Sequence, residues 1–217
     1  MAEFLADVRV FLPILLEGMG YAVAIGVLSF ALSTLIGFFW AVLRWSGFKP
    51  LVYLSATIVT VLRGIPILVQ LFYVYFVLPE IGLHLTAFQA AVIGLGIGFS
   101  AYQAETFRAG FEAIDHGQLE AAHSIGMGRR LIMSRVILPQ AVRIILPPYG
   151  NVFIMTMKDS ALAATITVPE ITRQAQLIAS STFKVTTVFS LAALLYLAMC
   201  IPLVLLVQWS EVRFKRK

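Results

Sequence analysis

Five runs of apolar residues organise the chain, at roughly 14–43, 51–78, 88–110, 143–166 and 186–209. Each is long enough to supply the about 20 residues of helix that a bilayer core requires. Polar and turn-forming stretches separate them: Arg44 to Pro50, Pro79 to Leu85, Glu112 to Gln140, and Pro169 to Lys184. The pattern predicts an all-α integral membrane protein of five transmembrane helices, a single domain over 1–217 with one long loop at 112–140. Small residues inside the spans predict close helix contacts. Ala90, Gly94 and Gly98 stand four apart, so they share one helix face that a neighbour can approach closely. The run "GLGIG" at 94–98 has the glycines of a nucleotide loop, but no strand precedes it, and helix packing accounts for it.

Composition agrees with lipid as the solvent. Of 217 residues 60% are hydrophobic and 12% charged, with a mean hydropathy of +0.92. A soluble domain carries about 25% charged residues. No polar linker divides the sequence. The single Cys200 lies in an apolar run and is expected to pack there. The start, "MAEFLADVRVFLPILLEG", lacks a basic n-region and a small-residue cleavage site, so the first span is expected to stay in the mature protein.

Lys and Arg set the orientation. With the N-terminus outside, the inner side holds Arg44, Lys49, Arg108, Arg129, Arg130, Arg135, Arg143, Arg213, Lys215, Arg216 and Lys217, and the outer side only Arg9, Arg173 and Lys184. Eleven against three predicts the N-terminus out, the C-terminus in the cytoplasm, and a cytoplasmic loop at 112–140. The net charge of +5 is therefore mostly an orientation signal and does not suggest nucleic-acid binding. No internal repeat is evident. Many transporters carry two related halves in one chain, so a pathway here is expected to need a second copy or a related subunit.

Within the inner loop stands "EAAHSIGMGRRLIMSRVILP", residues 120–139. It reads as a helix, a glycine break at Gly126 and Gly128, then a basic amphipathic helix ending before Pro139. Such a helix can lie against lipid headgroups or enter a groove on a cytosolic partner. The pattern alone leaves both open. The stretch resembles the EAA loop of binding-protein-dependent ABC importer permeases: Glu-Ala-Ala, three residues, Gly, nine residues, an aliphatic residue, any residue, then Leu-Pro. Glu120, Ala121, Ala122, Gly126, Val136, Leu138 and Pro139 fit that spacing. "LRGIPILVQL" at 62–71, "YQAETFRAG" at 102–110 and "MKDSALAATITVPEIT" at 157–172 are similar to the polar amino-acid (histidine, glutamine, arginine-like) branch. There the first of these more often reads Phe-Arg-Gly-Thr-Pro; Leu62 and Ile65 depart from it.

The resemblance implies a type I ABC importer permease fold in the inner membrane, with a second permease subunit, identical or related. Two cytosolic ABC ATPases and an extracytoplasmic substrate-binding protein complete the assembly it implies. Glu120, Ala121, Ala122 and Gly126 would belong to the helix that couples to the ATPases. The chain has no G-x-x-x-x-G-K-[ST] stretch, so ATP hydrolysis is assigned to a partner and no cofactor or enzymatic activity to this chain.

Charges inside the spans mark the candidate site. Arg63 lies 12 residues into the second span, and Lys158 and Asp159 lie 11 and 12 residues after Pro147. Each costs at least ~2.5–3.5 kcal/mol to insert. They could satisfy one another, or face a polar cavity. In a cavity their types suit a zwitterion: Arg grips a carboxylate with two parallel hydrogen bonds, and a carboxylate receives an ammonium. Glu105, near the inner end of the third span, could be interfacial. Its place in "YQAETFRAG" resembles one that faces the translocation path. Glu17 reads as interfacial. His84, His116 and His123 lack metal-ligand spacing, and no metal is expected. The expected function is the membrane subunit of an ATP-driven importer for a polar amino acid or related zwitterion. An ion-coupled carrier or channel would keep the charged cavity but need no coupling loop. A membrane enzyme using Lys158, Asp159 and Glu105 would lack any supporting nucleophile or cofactor motif.

Overall fold

The computed structural model describes residues 2–215, with side-chain surroundings for 6–213; Arg216 and Lys217, two of the inner cations, lie outside the described residues. Nine α-helices are described, and no strand among the described residues: α1 Ala2–Trp45, α2 Lys49–Gly64, α3 Ile67–Phe72, α4 Ala87–Glu112, α5 His116–Ser124, α6 Arg129–Ile132, α7 Leu138–Asp159, α8 Ile171–Thr182 and α9 Val185–Lys215. By length and apolarity the stretches Ala6–Trp45, Arg129–Ile166 and Val185–Arg213 can each cross a membrane, and α2 with Ile67–Ile81 forms a bent fourth. The remaining expected span, the third at 88–110, corresponds to α4. It carries buried Ser100 and Gln103 because its neighbours are protein on most sides.

Contacts along the helices fix their directions. Tyr21, midway along α1, meets Phe88 at the start of α4, and Trp45 at the end of α1 stacks on Phe111 near the end of α4, so α1 and α4 run parallel. Gly26 of α1 lies against Met157, and Thr34 bonds the Tyr149 hydroxyl, so α7 runs antiparallel to α1. Gly94 faces Leu71 and Gly98 faces Ile67, so α3 runs antiparallel to α4. This is the alternation that five successive crossings require. The expected row of small residues is where it operates: Ala90 is fully buried, and a Cβ on Gly94 would stand 3.1 Å from the Leu71 Cα. Cys200 packs in the apolar cluster of α1, α8 and α9, as expected.

Three expectations need correction. The second span is not one helix. It breaks between Gly64 and Ile67 with a bend of 100°. Pro66 has no N–H to continue the ladder and drives Ile65 into extended backbone (φ −97, ψ 128). The basic helix does not end before Pro139 but continues through it into the fourth span. A π-helical turn, Met133–Ile137, contains Arg135, whose carbonyl the Pro139 ring would otherwise meet. The same device, Tyr73–Val77, precedes Pro79. Finally, the separator from Pro169 to Lys184 contains α8, whose buried Ile171, Ala175, Ile178 and Ala179 form one apolar face. The Glu170 carboxylate caps it, accepting from the Thr172 and Arg173 N–H groups at 2.9 and 2.7 Å.

Candidate functional site

Arg63 stands in the last turn of α2, beside the break, and its side chain is exposed. A cation at a helix C-terminus is favoured by the orphan carbonyls there. Its guanidinium carbon lies 5.8 Å from the centre of the Tyr102 ring, within cation–π range. The sequence reading overlooked Tyr102 as a partner; its position one turn from Gly98 on the face toward α3 was the available signal.

The α-helical part of the fourth span ends at Asp159, and Ser160–Ile166 continues as a tighter 3₁₀ helix. Lys158 is exposed and Asp159 half-buried at this junction. Among the described residues Arg63, Lys158 and Asp159 take part in no salt bridge. Beyond the junction, Thr167 adopts a left-handed conformation (φ +70) and leads the chain to Glu170. Glu170 is fully buried, and the Tyr196 hydroxyl donates to it at 2.6 Å. Burial pushes its carboxyl above the ordinary glutamate range, while the Tyr196 and backbone donors pull the other way.

Glu105 is elsewhere in the network. Its carboxylate pairs with Arg44 of α1, and its Oε2 accepts from Arg108 Nε and Nη2 at 2.9 and 2.7 Å. Arg108 also pairs with Glu112. Arg44, Arg108 and Glu112 line a cavity of about 280 Å³ beside Trp45 and Phe111. No spacing along the chain signals Arg44, because it joins Glu105 only through the packing of α1 on α4.

In the long loop, α5 starts at an Asp115 cap whose Oδ1 accepts from Gly117 N at 2.7 Å. Ala122 is buried, whereas Glu120 and Ala121 are exposed. Gly126 has φ +79, a left-handed conformation that suits glycine, and Met127 N returns to Ala122 O at 3.1 Å. The turn thrusts Ile125 outward, 78% exposed. Gln140 Nε2 donates to Gln118 Oε1 at 2.6 Å, tying α5 to the base of α7.

Residues 33–216 match the family described as binding-protein-dependent transport system inner membrane component. The chain belongs to that family. This permease is 40% identical over 188 residues to "Probable amino-acid ABC transporter permease protein YckA" of Bacillus subtilis (strain 168), covering 87% of this chain and 83% of the relative. It is 38% identical to "Probable glutamine ABC transporter permease protein GlnM" of the same organism, covering 93% of each. A crystal structure of an amino acid ABC transporter with histidines superposes with a TM-score of 0.91 at 37% identity, over 97% of the permease and 98% of that chain. The MetNI methionine ABC transporter in an inward-facing conformation shares the fold, with a TM-score of 0.68 at 20% identity over 97% of each. The permease thus has the type I ABC importer fold and is a membrane-spanning subunit of an ATP-driven importer.

Proposed function

We propose that this permease carries a polar amino acid or related zwitterion inward, with Arg63 holding the substrate carboxylate and Asp159 its ammonium. Lys158 keeps the cluster near neutrality. The observation that carries the reading is that Arg63 and Lys158 are exposed on apolar spans with no salt bridge among the described residues. A bare cation facing hydrocarbon is costly, so the surface opposite is a polar cavity, formed with a second permease subunit. The ruler provided by α1 supports the reach. Met157 lies at the level of Gly26. Ser55 bonds Trp40 O, and Arg63 lies eight residues further outward along α2, about 12 Å at 1.5 Å per residue. Arg63 therefore sits near the level of Leu32, about 10 Å inward of Lys158, a span that a long arginine side chain and an extended zwitterion cover together. Relatives named for glutamine and cystine transport are consistent with this class.

Glu105 is the next anionic station inward, where a substrate ammonium would exchange with Arg44 or Arg108. Glu120, Ala121, Gly126 and the exposed Ile125 form the face that docks on two cytosolic ATPases, and buried Ala122 packs beneath it. The N-terminus lies outside with an extracytoplasmic binding protein, and the C-terminus lies in the cytoplasm.

The test is uptake of radiolabelled polar amino acids into proteoliposomes by the assembled transporter. Arg63→Ala removes a bidentate contact in a desolvated pair, worth about 2–5 kcal/mol, and is expected to suppress uptake strongly. Arg63→Lys is expected to recover little, because a point charge cannot replace the planar fork. Near-normal uptake by Arg63→Ala and Asp159→Asn at matched assembly would move the substrate site elsewhere.

A further inference from the structure

The break beside Arg63 is held by a side chain with no part in the substrate contacts above. In an α-helix the carbonyl of Leu62 would accept from the N–H of residue 66. Residue 66 is proline and has none. The Gln70 amide takes that place. Its Nε2 donates to Leu62 O at 2.7 Å and to Ile65 O at 2.9 Å, so both hydrogens of one amide group serve two of the carbonyls that the break exposes. Gln70 is itself fixed in the first turn of α3, where its backbone N–H donates to Pro66 O at 3.1 Å. The next residue, Leu71, packs against Gly94 of α4.

The cost side points the same way. Gln70 is only 8% exposed, and its Oε1 has no hydrogen-bond partner. A leucine would fill apolar space here without burying an unpaired acceptor, which is unfavourable. The glutamine is therefore explained by what its NH₂ group does at the break. One residue away from Leu62 stands Arg63.

We propose that Gln70 is a positioning residue: its amide clasps the end of α2 to the start of α3, fixes the bend between them, and thereby sets where Arg63 presents its guanidinium. The functional half of this proposal rests on Arg63 being the substrate's carboxylate contact.

Two variants test it. Gln70→Met keeps the length and removes the donors; Gln70→Glu keeps the shape and puts an oxygen against each carbonyl. Spin labels on cysteines replacing the exposed Tyr53 of α2 and Phe76 beyond the bend, in a Cys200→Ala background, report the bend by pulsed-resonance distances in the assembled transporter. Uptake of radiolabelled L-glutamine, L-arginine and L-cystine is measured on the same preparations, using whichever the wild type takes up fastest. The expected result is a shifted or broadened distance distribution and an apparent KM raised about tenfold. A wild-type distance distribution in either variant that assembles would overturn the clasp. An altered distribution with unchanged KM in both variants would leave the clasp standing, and would overturn its role in presenting Arg63 to substrate. If Arg63→Ala also leaves uptake unchanged, the substrate reading itself is at fault.

Discussion

Glu170 shows how much one buried side chain can organise. It caps α8 through two backbone N–H groups and accepts from Tyr196, while a Cβ on Gly18 of α1 would stand 2.9 Å from its carbonyl carbon. Three elements, α1, α8 and α9, therefore meet at this residue. Glu170→Ala removes the acceptor for all three donors and is expected to destabilise the permease by about 1–3 kcal/mol. Glu170→Gln retains an acceptor oxygen and suits the raised carboxyl pKa that burial imposes, so it should cost less. Thermal unfolding of the two variants in the assembled transporter separates these effects. Equal destabilisation would mean that the negative charge itself is required.

Among the elements, the loop after α5 is the one whose conformation can be challenged most directly. Its turn depends on Gly126 at φ +79, a conformation that costs other residues about 1–2 kcal/mol. Gly126→Val is expected to displace the exposed Ile125 from its place while leaving the spans inserted. ATP hydrolysis stimulated by the binding protein should fall severely in the assembled transporter. Normal stimulation at matched assembly would show that this turn does not couple to the ATPases. The two π-helical turns before Pro79 and Pro139 belong to the same scale. Each lets a helix run past a proline, whereas no wider turn precedes Pro66, where the second span breaks.

For the whole molecule, the proposed orientation, with the N-terminus outside, is one that labelling can check. A cysteine at Arg9 should react with a membrane-impermeant maleimide in intact cells, and one at Ile125 only after permeabilisation. The native Cys200 is buried and should contribute little background. The reverse pattern would invert the assigned topology.

The sequence by itself determined the all-helical membrane class, the approximate spans and the unusual positions of Arg63, Lys158 and Asp159. These follow from hydropathy, charge placement and local motifs, which are properties of neighbouring residues. Gly126 was legible for the same reason, since a turn needs its own residue's conformation. Tertiary structure decided the rest. It fixed the 100° break, because Pro66 can kink or end a helix and only Gln70's donation to Leu62 and Ile65 shows how this one is held. It gave Glu105 to Arg44 and Arg108, because that pairing depends on α1 lying parallel to α4. It turned an apparent connector into α8, whose apolar face acquires meaning only against α1 and α9. Local pattern specifies which segments prefer lipid and helix; which polar groups meet is set by packing between segments far apart in the chain.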